Sequence, residues 1–177
     1  MFKNFIILKK LHFKKNEYGT YLSTFEVDWV NKMKIFFCFV TSDSNKTAHD
    51  ILLKRIKDKQ WVTYEKTQHS LLKKEDEIIF YIAGKNIYKQ SFLGRAQIEN
   101  VEKPHEAIID PDNPKKEVFM IIRLKKIIIF KNPILVKEII NNLDFIKNKE
   151  NWGMFFHGGI REIEKKDFDF IVNYNPK

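Results

Sequence analysis

The segment that most constrains the fold lies near the carboxyl end of the chain and reads DFIKNKENWGMFFHGGIREI (residues 144–163). Its central part, residues 148–159, places Trp152, two phenylalanines and His157 among three glycines and two asparagines. Because glycine destabilises a helix interior, this composition predicts a loop or an irregular strand that holds large rings in place. Such rings can form a cage that stacks a flat ligand, but large aromatic side chains are most often core residues, so these residues alone favour packing at one end of the domain.

Outward from this segment, apolar runs separated by turn residues predict the strands. Residues 35–40 and 78–83 are almost continuously apolar, as strands buried on both faces would be. Residues 91–101 follow a Gly-Lys-Asn turn and predict the hairpin partner of the second run, with Gly94 marking a bulge. Residues 117–130 predict either one long strand or a bent pair.

Helix signals are fewer. Thr47, followed three residues later by Asp50, predicts a helix start, and Pro133 occupies a position typical of a first helical residue. A last helix is predicted over residues 165–172. With five or six strands in one block and no internal repeat, the pattern predicts an α+β fold, a small mixed β-barrel with short helices.

The first 32 residues stand apart from this block. Alternation of apolar and polar residues over 21–27 predicts a strand that can pair with the barrel edge or with a second chain. We therefore divide the chain into an N-terminal extension, residues 1–32, and a domain, residues 33–177. The extension is a candidate segment for homodimer formation.

Length, charge and composition bound the class of protein. The chain has 177 residues, 44% of them hydrophobic, which is typical of one soluble globular domain and excludes wholesale disorder. The 32 Lys and Arg residues outnumber the 23 Asp and Glu residues, for a formal net charge of +9 at pH 7. This charge permits a polyanionic partner such as nucleic acid but does not require one.

Cysteine usage and the apolar runs indicate the compartment. The single cysteine, Cys38, lies in an apolar run, which predicts a small buried side chain in a reducing environment. The first ten residues contain an apolar run too short for a signal-peptide core. No stretch approaches the ~20 apolar residues of a membrane span. We therefore expect a cytoplasmic protein with no membrane partner.

The motifs of common cofactor and metal sites are missing from the sequence. It contains no Gly-x-Gly-x-x-Gly and no Gly-Lys-Ser/Thr loop, which excludes the usual nucleotide-binding motifs. The five histidines are scattered and there is one cysteine, so no zinc cluster is predicted. We expect neither a cofactor nor a metal.

An enzymatic alternative depends on three acids. Asp110 and Asp112 lead into Glu117 on a predicted strand, and a metal-dependent nuclease uses carboxylates in such an arrangement to hold its metal. The Lys that should follow the strand acid by two residues is missing, because the nearby lysines precede Glu117. The Asp/Pro/Asn cluster at residues 110–114 is also typical of a simple turn. A metal-dependent nuclease or an RNA-modification enzyme is therefore the second hypothesis.

Segment 144–163, with the Lys-Asp-Phe that follows at residues 166–168, resembles the C-terminal signature of the EVE-domain family in its archaeal-type branch. Further matches occur upstream in the same order, at residues 36–41, Trp61, residues 72–81 and residues 92–96. The resemblance covers about residues 33–172. Two positions depart from the family pattern: Glu75 stands where a glycine is frequent, and residues 62–65 replace a Gly-Val/Ile run.

The resemblance implies a PUA-like barrel, shared with the YTH domains that read methylated adenine in RNA. It also implies a non-catalytic module that binds a modified nucleobase of DNA or RNA through an aromatic pocket. The candidate ligand-binding residues are Trp61, Trp152, Thr41, Ser42, Asn45 and His157. The candidate phosphate-binding residues are Lys66, Lys149 and Arg161.

Overall fold

The computed structural model describes five stretches of the chain, residues 11–15, 21–25, 35–64, 72–85 and 87–175. The chain divides into two units, Met1–Met33 and Lys34–Lys177. In the first unit, strands β1 (Leu11–Lys15) and β2 (Tyr21–Phe25) pair antiparallel. The predicted strand over residues 21–27 is thus found in its described part, whereas the role of the extension in dimer formation stays a prediction.

The second unit contains one mixed sheet, which has six strands in the described residues. In chain order these strands are β3 (Phe36–Thr41), β4 (Gln60–Thr63), β5 (Glu77–Ile82), β6 (Ser91–Glu102), β7 (Met120–Leu135) and β8 (Ile160–Ile163). Their order across the sheet is β4-β7-β6-β5-β3-β8. Strands β3 and β5 are parallel, and the other four neighbouring pairs are antiparallel.

Three short α-helices accompany the sheet in the described residues: α1 (Ala48–Lys57), α2 (Val136–Ile139) and α3 (Lys165–Asn173). The predicted start of α1 is confirmed, because the Thr47 hydroxyl accepts a hydrogen bond from the backbone N–H of Asp50 at 3.1 Å. None of the described helices has the length and apolar character needed to cross a bilayer.

The predicted helix start at Pro133 is wrong. Pro133 lies inside β7, which continues to Leu135, and α2 begins one residue later. In the described residues β4 pairs with β7 only up to Arg123, so the later part of β7 borders β6 alone. A proline, which has no N–H to donate, is tolerated on such a strand edge.

The sheet is curled into half of a barrel. Strands β3 and β4 are separated in the sheet by three strands, which in a flat sheet would place them about 19 Å apart at about 4.8 Å per step. The ring centroids of Phe39 on β3 and Trp61 on β4 are nevertheless only 5.2 Å apart. The predicted α+β, barrel-like fold is therefore confirmed, as a curled sheet.

Both faces of β3 and of its neighbour β5 are buried, which explains the continuous apolar run of β3. Phe37 and Phe39 point into the curl and, with Trp61 and Phe80, belong to the inner core. Cys38 and Val40 point outward into a second cluster, the outer core, which also includes residues of α2, α3 and the turn of 3₁₀ helix at Trp152–Phe156. The buried position predicted for Cys38 is confirmed.

The predicted bulge at Gly94 is also confirmed. The pairing of β6 with both neighbouring strands shifts between Phe92 and Gly94. A Cβ atom on Gly94 would lie 2.4 Å from the carbonyl oxygen of Ile128, so the backbones approach more closely than any side chain allows. The bulge bends β6 around the inner core.

The segment quoted first is attached to the last helix through a buried carboxylate. Asp167 on α3 is 1% exposed and accepts hydrogen bonds from the backbone N–H groups of Asp144 at 2.8 Å and Phe145 at 2.9 Å. A buried carboxylate that accepts two N–H donors fixes both chain segments. Asp167 thus holds the beginning of segment 144–163 against α3.

We expect Asp167→Ala to lower the free energy of unfolding by about 2–5 kcal/mol, because two backbone N–H groups lose a buried, charged acceptor. Urea unfolding followed by circular dichroism measures this loss. The matched control is Asp169→Ala on the same helix, whose carboxylate pairs with the exposed Lys165 and should contribute less than about 1 kcal/mol. Equal losses in the two variants would contradict the proposed attachment.

Candidate functional site

A cavity of about 220 Å³ opens at the end of the half-barrel where β3 and β4 finish and β8 begins. Pockets for drug-sized ligands have roughly 300–1,000 Å³, so this one suits a smaller molecule, about the size of a heterocycle. Its lining residues are Val40, Thr41, Ser42, Asp43, Ser44, Ile51, Arg55, Trp61, Val62, Thr63, Tyr64, Asp112, Asn113, Gly158, Gly159 and Ile160.

Two buried hydroxyl groups lie in the wall of this cavity. Thr41 and Thr63 are 4% and 2% exposed, and neither Oγ1 atom has a hydrogen-bond partner in the described part of the protein. Each residue follows an inner-core ring by two positions on its strand, Phe39 and Trp61, and therefore points to the same inner face. Buried hydroxyls are almost always hydrogen-bonded to protein or to ordered water, so these two are available to a molecule that enters the cavity.

The floor of the cavity is Trp61, whose ring is almost fully enclosed. It is 3% exposed, stacks on Phe80 at 5.8 Å between centroids and contacts Phe39. The guanidinium carbon of Arg55 lies 4.8 Å from its ring centroid, a cation–π contact. Trp61 therefore shapes the cavity from below and does not offer an open face.

Arg55 is held in this position by two oxygen atoms. Its Nη2 donates to the carboxylate of Asp110 and to the hydroxyl of Tyr64, both at 3.0 Å. The Tyr64 hydroxyl in turn donates to Asp110. Burial and the hydrogen bond to Asp110 raise the pKa of Tyr64 to about 12 against the lowering influence of Arg55, so the hydroxyl keeps its proton.

Ion pairs attach the loop that carries Asn113 to α1 and to the residues just before it. The carboxylate of Asp112 binds Lys54 Nζ at 2.8 Å and Lys46 Nζ at 3.1 Å. Burial alone would raise the pKa of Asp112, but the hydrogen bonds and charges of the two lysines outweigh it and lower the pKa. Asn45 adds a hydrogen bond from Nδ2 to the Pro111 carbonyl oxygen at 3.3 Å.

These contacts show the role in the fold of Asp110, Asp112 and Glu117, the three acids of the nuclease hypothesis. Asp110 and Asp112 both form ion pairs with cations of the protein itself. The exposed Glu117 forms an isolated antiparallel β-bridge with Ile109 through the backbone. Within the described residues, no three His, Cys, Asp or Glu side chains come together as a metal site would require. The geometry gives Asp110 and Asp112 a structural role.

The loop after β3 is fixed by Asp43. Its carboxylate accepts hydrogen bonds from the backbone N–H groups of Ala48 at 2.8 Å and Lys85 at 2.9 Å. A Cβ atom on Gly84 would lie 2.4 Å from Asp43 Oδ1, so a side chain at this position would displace the Asp43 carboxylate. Asp43 thus connects the cavity wall, the start of α1 and the turn that follows β5.

The candidate ligand-binding residues are only partly brought together. Thr41, Ser42 and Trp61 line the cavity, and Asn45 lies just beyond its rim. His157 is exposed and directly precedes the lining residue Gly158. Trp152 packs against the outer core, edge-on to Phe156 at 6.0 Å. The two tryptophans thus lie on opposite faces of the sheet and do not form one aromatic cage.

The candidate phosphate-binding residues have three different environments. Arg161 is exposed on β8, opposite Cys38 in the register and next to the lining residue Ile160. Lys149 Nζ donates to the carbonyl oxygens of Ile140, at 2.8 Å, and Leu143, which engages its charge within the fold. Lys66 lies outside the described residues.

Sequence reasoning missed several residues of the cavity, above all Arg55, Thr63 and Tyr64. Thr63 has a detectable signal, because it follows Trp61 by two positions and must share its face of the strand. Arg55 has none, since its acidic partner Asp110 lies 55 residues further along the chain.

The ion pairs of Asp112 should give stability that depends on pH. The folded-state pKa is lowered, so their contribution is complete above the unfolded-state value of about 3.9 and is lost as the pH falls through the folded-state value. We expect Asp112→Asn to lower the free energy of unfolding by about 1–3 kcal/mol at pH 7. Urea unfolding at several pH values should show the difference from the wild type shrinking progressively as the pH falls below the unfolded-state value.

Asp144→Asn is the matched control, because its carboxylate pairs with Lys166 at the exposed surface. It should cost less stability than Asp112→Asn at neutral pH. A loss in Asp112→Asn that is as large at pH 3 as at pH 7 would mean that the ion pairs are not its source.

Comparison with known proteins identifies the family. The sequence profile of the EVE domain matches residues 36–174, and no curated protein matches the chain. The N-terminal domain of Staphylothermus marinus McrB is similar in structure at 10% identity and a TM-score of 0.44, over 79% of this chain and 94% of that chain. The YTH domain of Zygosaccharomyces rouxii MRB1, in complex with N6-methyladenosine RNA, aligns at 12% identity and a TM-score of 0.49, over 82% and 90%. The profile match covers most of the chain and confirms the resemblance: the protein belongs to the EVE domain family.

Proposed function

We propose that this protein is a non-catalytic nucleic-acid-binding module that takes one modified nucleobase of DNA or RNA into the cavity between Thr41 and Thr63. The observation that carries the proposal is a cavity of heterocycle size with an aromatic floor and two buried hydroxyls that have no partner in the described residues. Membership of the EVE family supports the same function.

The lining matches the chemistry of a base better than that of a phosphate. Each hydroxyl can donate or accept a hydrogen bond, so Thr41 and Thr63 can read the polar edge of a ring. Ile51 and Ile160 supply apolar contacts for an added alkyl group. A base would reach this position only when it is unpaired or rotated out of its stack.

The charges around the cavity also favour a neutral base over a phosphate. Arg55, Lys46 and Lys54, the cations in or beside its wall, are each bound to a carboxylate in the described structure. An entering phosphate would have to displace Asp110 or Asp112, whereas a neutral base would not. Phosphates are instead expected outside, near the exposed Arg161, and their contribution should weaken with added salt.

The enzymatic alternative would require a different arrangement. For a metal-dependent nuclease or an RNA-modification enzyme, Asp110 and Asp112 would have to leave their ion pairs to hold a metal. Their release would also free Arg55 and loosen the loop that carries Asn113. The base-binding function uses the arrangement as it stands.

The direct test is thermal unfolding of the protein with a panel of modified and unmodified nucleosides and short single-stranded oligonucleotides. A ligand that binds only the folded state raises Tm in proportion to its concentration and affinity. We expect a shift for one modified base and a smaller one, or none, for its unmodified parent. A panel without any shift at concentrations well above about 1 mM would overturn the proposal.

Thr41→Val and Thr63→Val test the two hydroxyls. Each should weaken binding of the selected nucleoside roughly 2- to 10-fold, the worth of one neutral hydrogen bond. Stability should stay equal or rise, because a methyl group replaces a buried hydroxyl that has no partner among the described residues. Calorimetric titration and thermal unfolding measure the two effects.

The control variant is Trp152→Phe, which changes an aromatic residue of the outer core and should leave nucleoside affinity unaltered. Loss of affinity in this control, with full affinity in both valine variants, would place the base on the other face of the sheet.

A further inference from the structure

The turn between β5 and β6 exposes two large side chains that the inner and outer cores do not use. Ile87 is 58% exposed and Tyr88 is 42% exposed. Tyr88 also has φ 57°, in the left-handed region that favours glycine and asparagine. A bulky aromatic residue in that conformation is uncommon, and such backbone strain is concentrated at functional sites.

Hydrogen bonds to two neighbouring segments fix the backbone at the end of this turn. Gln90, which has φ 58°, donates from its N–H to the Ile82 carbonyl at 2.7 Å and accepts from the Val136 N–H at 3.0 Å. The Ser91 hydroxyl donates to the Tyr88 carbonyl oxygen. The backbone from which the Tyr88 side chain projects is therefore fixed by neighbouring segments.

The Tyr88 ring is supported by α1 and remains accessible. The ring of His49, in the first turn of α1, lies 5.1 Å from it at an interplanar angle of 61°. An edge contact of this kind orients a ring while leaving much of its surface free for another partner.

The turn is connected to the cavity through Asp43. The Lys85 N–H, at the start of the turn, donates to the carboxylate of Asp43, which lines the cavity and also accepts from the Ala48 N–H. Ala48 directly precedes His49, the residue that contacts Tyr88. Hydrogen bonds of Asp43 thus join the cavity wall to the beginning of α1 and to Lys85, and a ring contact joins α1 to Tyr88.

The charges of the turn favour a polyanion. Lys85 and Lys89, both exposed, flank Ile87 and Tyr88. An aromatic face with lysines on either side is the chemistry by which proteins bind single-stranded nucleic acid, stacking a base and contacting its phosphates. An apolar partner surface would gain nothing from the two lysines.

We propose that Tyr88 is a stacking platform, outside the cavity, for a nucleobase adjacent to the one that the cavity binds, with Lys85 and Lys89 against the neighbouring phosphates. The proposal rests on the proposed function and makes it more specific. The ligand is a single-stranded stretch of at least two nucleotides, because a base in a continuous duplex cannot expose a free face to Tyr88.

The test uses the whole protein and two kinds of probe. Fluorescein-labelled oligo-uridine RNA and oligo-thymidine DNA of about ten nucleotides, within the usual site size, report on the platform by fluorescence anisotropy. The nucleoside that raises Tm most in the thermal panel reports on the cavity. Tyr88→Asn removes the ring and suits the left-handed backbone, Tyr88→Phe keeps a stacking face, and Met154→Ala is a control at an exposed apolar residue elsewhere.

We expect Tyr88→Asn to weaken binding of at least one oligonucleotide roughly 5- to 150-fold, the range for loss of one stacked base. Tyr88→Phe and Met154→Ala should bind like the wild type, and nucleoside binding should not change in any variant. Tm of Tyr88→Asn should equal or exceed that of the wild type, because asparagine relieves the strained backbone. If Tyr88→Asn does not fold, Tyr88→Leu removes the aromatic face and should show the same loss.

The two proposals fail in different ways. Unchanged oligonucleotide affinity in Tyr88→Asn, or no oligonucleotide binding by the wild type, overturns the platform and leaves cavity binding of a nucleoside intact. Oligonucleotide binding that depends on Tyr88, with no nucleoside shifting Tm, supports the platform and overturns the modified-base pocket.

Discussion

The contact between Phe39 and Trp61 is the constraint on which the rest of the molecule depends. It joins two strands that are four steps apart in the sheet, so the sheet can make it only by curling. The curl encloses the inner core, and it also brings Thr41 and Thr63 to the same cavity, because each follows one of the two rings by two residues. The same side chains therefore determine the fold and place the polar groups of the candidate site.

Ion pairs hold a loop in place, as the contact between Phe39 and Trp61 holds two distant strands together. Segment 110–114 has no apolar run to hold it, and its acids bind Lys46, Lys54 and Arg55 in and beside α1. Arg55 in turn lies over Trp61, so the polar network ends on the inner core. Electrostatic contacts of buried carboxylates thus close one wall of the cavity, and those of Asp167 secure segment 144–163 in the same manner.

Local features of the sequence predicted local features of the fold. The apolar run of β3, the cap at Thr47 and the bulge at Gly94 could be predicted, because each leaves a signal within a few residues of the sequence. At Pro133 the same kind of local signal gives a wrong prediction. Proline does favour the first position of a helix, but the pairing of β7 with β6 extends past this residue. A tertiary contact overrode the local signal.

The candidate site was less predictable, since its residues meet only through the curl. The alternation of apolar and polar residues along a strand shows which of its residues share a face. It does not show against which face of the sheet a segment far along the chain will pack. Trp61 and Trp152 were therefore equal candidates, although they belong to opposite cores. The pairing of Arg55 with Asp110 spans 55 residues and has no local signature at all.

Some departures from local consistency lie at one end of the half-barrel. The hydroxyls of Thr41 and Thr63, which have no partner within the described residues, lie in the cavity, and the strained Tyr88 is linked to its wall through Asp43. Others lie outside the cavity lining, such as Gln97 Oε1 and the positive φ angles of Glu75 and Lys126. A protein selected for stability alone would satisfy or remove such groups, so the two hydroxyls that share one cavity support the proposed ligand. The division of labour follows from their chemistry. Neutral hydroxyls and apolar walls inside can discriminate between bases, while exposed cations outside contribute affinity without regard to sequence.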